Sequence, residues 1–167
     1  MVANGDLGKI RVVQVEYPQD WLTRPLSSKQ ADWRTDPARS GPGGAIGDIG
    51  THAYNLTRFV TGLKTAAVSA DLSTFVEGRR LDDNVHVLLR FARQCTRMLW
   101  ASQVAVGCEN GLQLRVYGEK AGLEWLRTTV NQMWFTGIWQ AQATLTRGGA
   151  ISGDAPPIQV RLPSGHP

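Results

Sequence analysis

Cysteine is scarce in this chain: its 167 residues include only two, Cys95 and Cys108. They have no C-x-x-C spacing and no histidine cluster beside them, so the usual signatures of a disulfide framework and of a zinc site are both missing. Two ordinary thiols in a reducing cytoplasm is the simplest reading. Long apolar runs are missing too. None approaches the roughly 20 residues of a membrane span, and no membrane partner is expected. Met1 to Asp6 offers neither a charged n-region nor an apolar h-region, so no signal peptide is expected. The net charge is a mild +4, and the arginines (Arg11, Arg34, Arg58, Arg80 and Arg97 among them) form no dense basic run. That pattern suits a solvated surface, not a nucleic-acid footprint. No serine sits in a G-x-S-x-G elbow. No G-x-G-x-x-G follows a first strand: Gly41-Pro42-Gly43-Gly44 is wrongly spaced and lacks a strand–helix–strand unit around it.

What is present is the composition of a globular domain. Hydrophobic residues make up 42% and charged ones 19%, which suits one compact unit. Six tryptophans are many for this length, and a buried indole N–H usually finds a partner. Ile10 to Tyr17 is β-branched and aromatic and reads as a strand. From Pro18 to Gly44 no period is visible. A loop of that length is usually functional or disordered, and Trp21 and Trp33 favour a functional one. Ala45 to Val60 is predicted to be helical. Ile46, Ile49, Ala53, Leu56, Phe59 and Val60 share one arc at about 100° per residue, and Gly62 follows as a C-cap. The rest reads as sheet: Thr65 to Phe75, Asn84 to Phe91, Thr96 to Val106, Gly111 to Tyr117, Leu123 to Leu126 and Val130 to Phe135, with a hairpin turn at Gly118 to Gly122. From Asn84 the alternation is clean, with Val85, Val87, Leu89 and Phe91 on one face. Short connections favour antiparallel pairing. The expected class is α+β, a mostly antiparallel open sheet with helix packed on one face. The other face is left for a second copy of the chain. Residues 1–140 read as the domain and 141–167 as a tail rich in Gly, Ala, Pro and Ser.

The strongest local feature lies in Gly43-Gly44-Ala45-Ile46-Gly47-Asp48-Ile49-Gly50-Thr51-His52. Asp48 and His52 are four apart and would share a helical face. On an ideal wheel His52 borders the apolar arc and Asp48 lies about 40° further out. That predicts a half-sheltered imidazole at the edge of the core, with a carboxylate one turn away to fix its tautomer. The glycines remove side chains and let a ligand approach the backbone. Blander readings remain open: an acid in a first helical turn beside a hydrogen-bonded boundary histidine, or two metal ligands. A metal lacks an obvious third ligand, since His86 lies on a strand and His166 in the tail.

The segment GGAIGDIGTHAYNLTRFVTG resembles the signature helix of the glucose-fructose oxidoreductase, inositol dehydrogenase and MocA family. Trp33-Arg34-Thr35-Asp36-Pro37 is similar to the loop before that helix. Weaker likenesses run from Gly5-Asp6-Leu7-Gly8-Lys9-Ile10 through Asp83-Asn84-Val85 to Val116-Tyr117-Gly118-Glu119-Lys120-Ala121-Gly122. Together they cover residues 5 to 126. The resemblance implies the family's C-terminal domain, an architecture like those of dihydrodipicolinate reductase and glyceraldehyde-3-phosphate dehydrogenase. It implies that His52 exchanges a proton with a substrate hydroxyl while hydride passes to or from a nicotinamide. Asp48 would bind substrate hydroxyls and orient that histidine, and Arg34 and Trp33 would wall the pocket. Thr51 and Asn55 are polar and helical near Asp48, placed either to reach a polyol hydroxyl or to face solvent. The chemistry is coherent, because oxidising a secondary alcohol removes one proton and one hydride.

Enzymes of that family begin with a Rossmann domain. Its glycine fingerprint and its Glu-Lys-Pro segment are both absent here. The expectation is therefore a fragment that binds a sugar or polyol, with NAD or NADP held by the missing Rossmann domain and no cofactor on this chain alone. The alternative is a non-catalytic module for sheet-mediated oligomerisation or carbohydrate binding. Trp100, Trp125 and Trp134 would then supply an apolar face, unless they pack under the helix.

Overall fold

In a computed structural model, residues 1–91 and 95–146 are described. The expected tail beyond residue 146, including His166, lies outside them. The alternating segment after Gly8 forms β1 (Ile10–Pro18). Two short helices follow, α1 (Lys29–Thr35) and α2 (Pro37–Ser40). A π-helical turn (Ile46–Gly50) runs directly into α3 (Thr51–Thr61). Seven strands complete the fold: β2 (Thr65–Ser73), β3 (Asn84–Phe91), β4 (Thr96–Ser102), β5 (Gln113–Gly118), β6 (Ala121–Leu126), β7 (Gln132–Gly137) and β8 (Ala143–Thr146).

The strands form one sheet in the order β2-β3-β4-β1-β5-β6-β7-β8. The class matches the expectation, with one exception to antiparallel pairing. The first strand inserts in the middle, antiparallel to β5 but parallel to β4, with Val13 beside Arg97 and Val15 beside Leu99. Residues paired across neighbouring strands share a face. One face carries Val13, Val15, Val85, Val87, Leu89, Leu99, Leu114 and Val116, all buried in a single core. Each such side chain contributes about 1.5–3 kcal/mol by leaving water. Helix α3 lies on this face and adds Ala53 to the core, while the π turn adds Ile49.

The opposite face carries His86, Leu88, Met98, Trp100, Gln14, Glu16 and Arg115, and among the described residues no helix lies over it. Trp100 and Trp134 lie on this open face, but Trp125 packs against the core on the other. Two of these indoles are partnered: Trp100 donates to Asn84 Oδ1 at 2.9 Å and Trp125 to the Val130 carbonyl at 3.2 Å.

Three expectations need correction. The segment 18–44 is not irregular throughout. Ser28 caps α1 by accepting from the Ala31 amide, and Asp36 caps α2 with Pro37 in its first turn. Helices this short show no periodicity, so only their caps betray them. Ala143–Thr146 was assigned to the tail but pairs with β7 as an edge strand. The helix predicted from Ala45 begins with a wider turn, in which the Thr51 amide donates to the Ile46 carbonyl five residues back.

Candidate active site

Helix α3 and its π turn are held at their start by Asp82. Its carboxylate accepts from the amides of Gly44 (2.7 Å) and Ile46 (2.8 Å), and its carbonyl accepts from the Ala45 amide at 2.8 Å. These are donors that a helix start otherwise leaves unpaired. Gly44 is required here because a Cβ would overlap the Asp82 carbonyl oxygen. Further along, Arg97 Nη2 donates to the Tyr54 carbonyl of α3 at 3.0 Å, and the guanidinium lies over the Tyr54 and Phe91 rings.

Asp48 projects from the π turn. Its Oδ2 accepts from Arg34 Nε at 2.9 Å and from Gln103 Nε2 at 2.8 Å. The partners come from α1 and from the residue just past β4, so three separate stretches of chain converge on one oxygen. Asp48 Oδ1 accepts from no protein group among the described residues. The Arg34 guanidinium lies 5.7 Å from the centre of the Trp21 ring, whose indole donates to Gln19 Oε1 at 2.9 Å. Arg34 and Asp48 are each only partly exposed; such a charge-assisted bond is stronger and better aligned than a mobile surface pair.

His52 lies on the first turn of α3 and is exposed. The half-sheltered position expected from an ideal wheel is not what forms. In α3 the buried direction is set by Ala53 and Thr57, and His52 stands about 100° round from Ala53. Phe59, expected on the apolar arc, is 72% exposed for the same reason. Of the six expected apolar positions, Ile49 and Ala53 are buried and Ile46, Leu56 and Val60 pack against the core, while Phe59 turns outward. His52 has no hydrogen-bond partner among the described residues, and the groups that orient Asp48 are Arg34 and Gln103.

The other expected site residues stand apart. Trp33 is 53% exposed on α1. Thr51 Oγ1 donates back to the Gly47 carbonyl at 3.0 Å, and Asn55 is exposed on α3. Asp82 and Gln103 were not found from sequence. Asp82 had a weak signal, as the first of two adjacent acids before a clean strand. Gln103 had none, since its partner lies 55 positions away. Among the described residues no group of three or more His, Cys, Asp or Glu side chains could hold a metal ion. No helix there is long and apolar enough to cross a membrane.

A pyrophosphate cradle needs free backbone N–H groups at a glycine-rich turn. The amides of Gly44, Ala45 and Ile46 at the helix entry are taken by Asp82, so this turn offers no such cradle.

Comparison with known proteins identifies the family. Residues 1–124 match the family described as GFO/IDH/MocA C-terminal domain. An uncharacterised oxidoreductase, YfiI of Bacillus subtilis (strain 168), is 30% identical over 171 residues, covering 99% of this chain and 44% of that protein. Among solved structures, an oxidoreductase from Sinorhizobium meliloti is 48% identical with a TM-score of 0.78, covering 100% of this chain and 44% of that one. An inositol dehydrogenase homologue from Azotobacter vinelandii, complexed with NADH and myo-inositol, is 30% identical with a TM-score of 0.86, covering 100% of this chain and 43% of the other. The chain thus spans less than half the length of these relatives. With residues 1–124 matched on a mostly antiparallel sheet with helix on one face, this chain belongs to the Gfo/Idh/MocA oxidoreductase family, as its C-terminal domain.

Proposed function

We propose that this domain binds a neutral sugar or polyol for an NAD(P)-dependent dehydrogenase, with His52 as the proton-transfer group and Asp48 as the anchor for substrate hydroxyls. The observation that carries this reading is the state of Asp48. One carboxylate oxygen is saturated by Arg34 and Gln103, while the other is unclaimed, one helical turn from an exposed imidazole. A hydroxyl that donates to Asp48 Oδ1 brings its carbon skeleton over α3. A neighbouring hydroxyl can then give its proton to His52 as the carbon is oxidised, or take it back in reduction. Arg34 offsets the charge of Asp48, which suits a neutral ligand better than an anion. The nicotinamide that takes or gives the hydride would be held outside this chain, in keeping with the occupied amides at the helix entry and with relatives more than twice as long. Arg34, Trp33, Thr51 and Asn55 remain the candidate substrate contacts, and Arg34 has the best support. The two unpaired cysteines accord with a cytoplasmic setting.

The test is direct. The natural polypeptide carrying this chain is incubated with NAD or NADP and a polyol panel, and absorbance of the reduced cofactor is followed. Turnover is expected there and not from the 167-residue chain alone. Robust turnover by the isolated chain would refute the division of labour.

A second reading concerns the open face and is compatible with the first. Leu88 (60% exposed) and Met98 (43%) are cross-strand partners there, and Val12 and Tyr117 form another exposed pair. Trp100 and Trp134 extend the surface. Such a face is suited to a second copy of the chain, and sedimentation of the chain against a Leu88→Lys variant tests it.

A further inference from the structure

We propose that Gln103 is a positioning residue for Asp48. It fixes which way the carboxylate faces and so reserves Oδ1 for the substrate. The inference rests on the polyol reading above and assigns a residue that reading did not need.

Gln103 is 2% exposed, and its side chain reaches Asp48 from behind the helix. Its position is set by backbone bonds made elsewhere. The Gln103 amide donates to the Asp83 carbonyl at 2.8 Å, and its carbonyl accepts from the Leu22 amide at 3.2 Å. Both anchors are themselves tied down. The fully buried Asp83 carboxylate accepts from the amides of Phe75 and Val76 and pairs with Arg79, whose Nη2 donates to the Leu22 carbonyl at 2.7 Å. Adjacent acids thus steady the two halves of the contact: Asp82 holds the helix that bears Asp48, and Asp83 holds the strand end that bears Gln103. Rigid support of this kind is what a binding group needs to keep its geometry.

The chemistry of the amide matters as well. Arg34 already supplies one positive charge to Asp48. A second cation would leave the cluster with a net charge, while a neutral amide adds a donor and no charge. Both donors point at Oδ2, so the carboxylate plane is fixed by two bonds from different directions. Without Gln103, one bond to Arg34 Nε would remain, and the carboxylate could rotate about it.

Two nearly isosteric variants of the natural polypeptide test this. Gln103→Met removes the donor. Gln103→Glu replaces it with a group that donates only when protonated. Probes are myo-inositol and D-glucose, titrated in the presence of NADH. Gln103→Met should weaken polyol binding about tenfold, the scale of one hydrogen bond, with NADH affinity unchanged. Gln103→Glu should bind more poorly than Gln103→Met at pH 8, because a second carboxylate then faces Asp48. A merely structural role would lower stability and leave the Asp48 carboxylate facing its present way. A crystal structure of Gln103→Met supplies an arm that needs no ligand: the Asp48 carboxylate is expected to turn away from its present direction. An unchanged carboxylate in that structure, or polyol binding equal to wild type in both variants, overturns the assignment. If the carboxylate turns but wild type binds no polyol, the substrate reading fails while the positioning by Gln103 stands.

Discussion

The Gly44 amide donates to the Asp82 carboxylate at 2.7 Å, while the Gly44 α-carbon sits so close to the Asp82 carbonyl oxygen that no side chain fits between them. Gly44→Ala should therefore destabilise the domain by about 3 kcal/mol, the upper range for an overpacked site. Asp82→Asn should cost about 1–2 kcal/mol, because an amide offers one acceptor where two donors arrive. Urea unfolding followed by circular dichroism measures both. A Gly44→Ala protein within about 0.5 kcal/mol of wild type would contradict the close approach.

His52→Ala should separate stability from chemistry. The side chain is exposed and without a hydrogen-bond partner among the described residues, so unfolding should change by no more than about 0.5 kcal/mol. Turnover of the natural polypeptide should fall about 100- to 10,000-fold, the usual contribution of general acid–base catalysis. NADH binding, read by fluorescence titration, should persist. An unaffected rate would reject His52 as the proton-transfer group.

Arg34→Lys keeps the charge but loses the planar fork and its stacking on Trp21. Binding of myo-inositol should weaken several-fold, and Arg34→Ala should weaken it further. Equal affinity in all three proteins would show that Arg34 acts on neither Asp48 nor the ligand.

Arg97 is 2% exposed, and among the described residues its Nε and Nη1 have no hydrogen-bond partner. Burial pulls its guanidinium well below the ordinary arginine range, to about 10. The folded protein therefore gives up this proton at lower pH than the unfolded chain does. Above about 10 the unfolded state binds more protons, so the residue's contribution to stability rises with pH until the unfolded chain's arginine titrates as well. Below 10 the full burial cost is present. Arg97→Met should be neutral to about 3 kcal/mol more stable at pH 7, with its advantage narrowing above pH 10. Urea midpoints at the two pH values decide it, and clear destabilisation at pH 7 would mean that the Tyr54 and Phe91 rings outweigh desolvation.

Legibility in the sequence followed the length of each signal. Strand β3 was predicted as Asn84 to Phe91 and forms over those residues, because eight alternating positions leave one register that buries Val85, Val87, Leu89 and Phe91. The Asp48–His52 spacing was visible because both lie on one continuous segment. Helices α1 and α2 were missed because neither completes two turns. The partners of Asp48 were hidden for a different reason: Gln103 meets it only after the sheet has closed, and no local pattern encodes a meeting across 55 positions. The exposure of His52 was misjudged because the apolar arc was drawn through Phe59, which the fold leaves outside; His52 borders only that end of the arc.

The central place of β1 has a consequence for how the chain comes into being. It precedes the other seven strands of its sheet along the chain, yet its neighbours begin at Thr96 and Gln113. Until those residues emerge, β1 has no partner, and its Val13 and Val15 stay in water. Every route to the native sheet must therefore close a long loop early, which slows folding and exposes an unpaired strand in the meantime. The bond between Asp48 and Gln103 spans the same closure. Premature termination between Thr61 and β4 would thus leave a polypeptide with the signature helix intact and no assembled site.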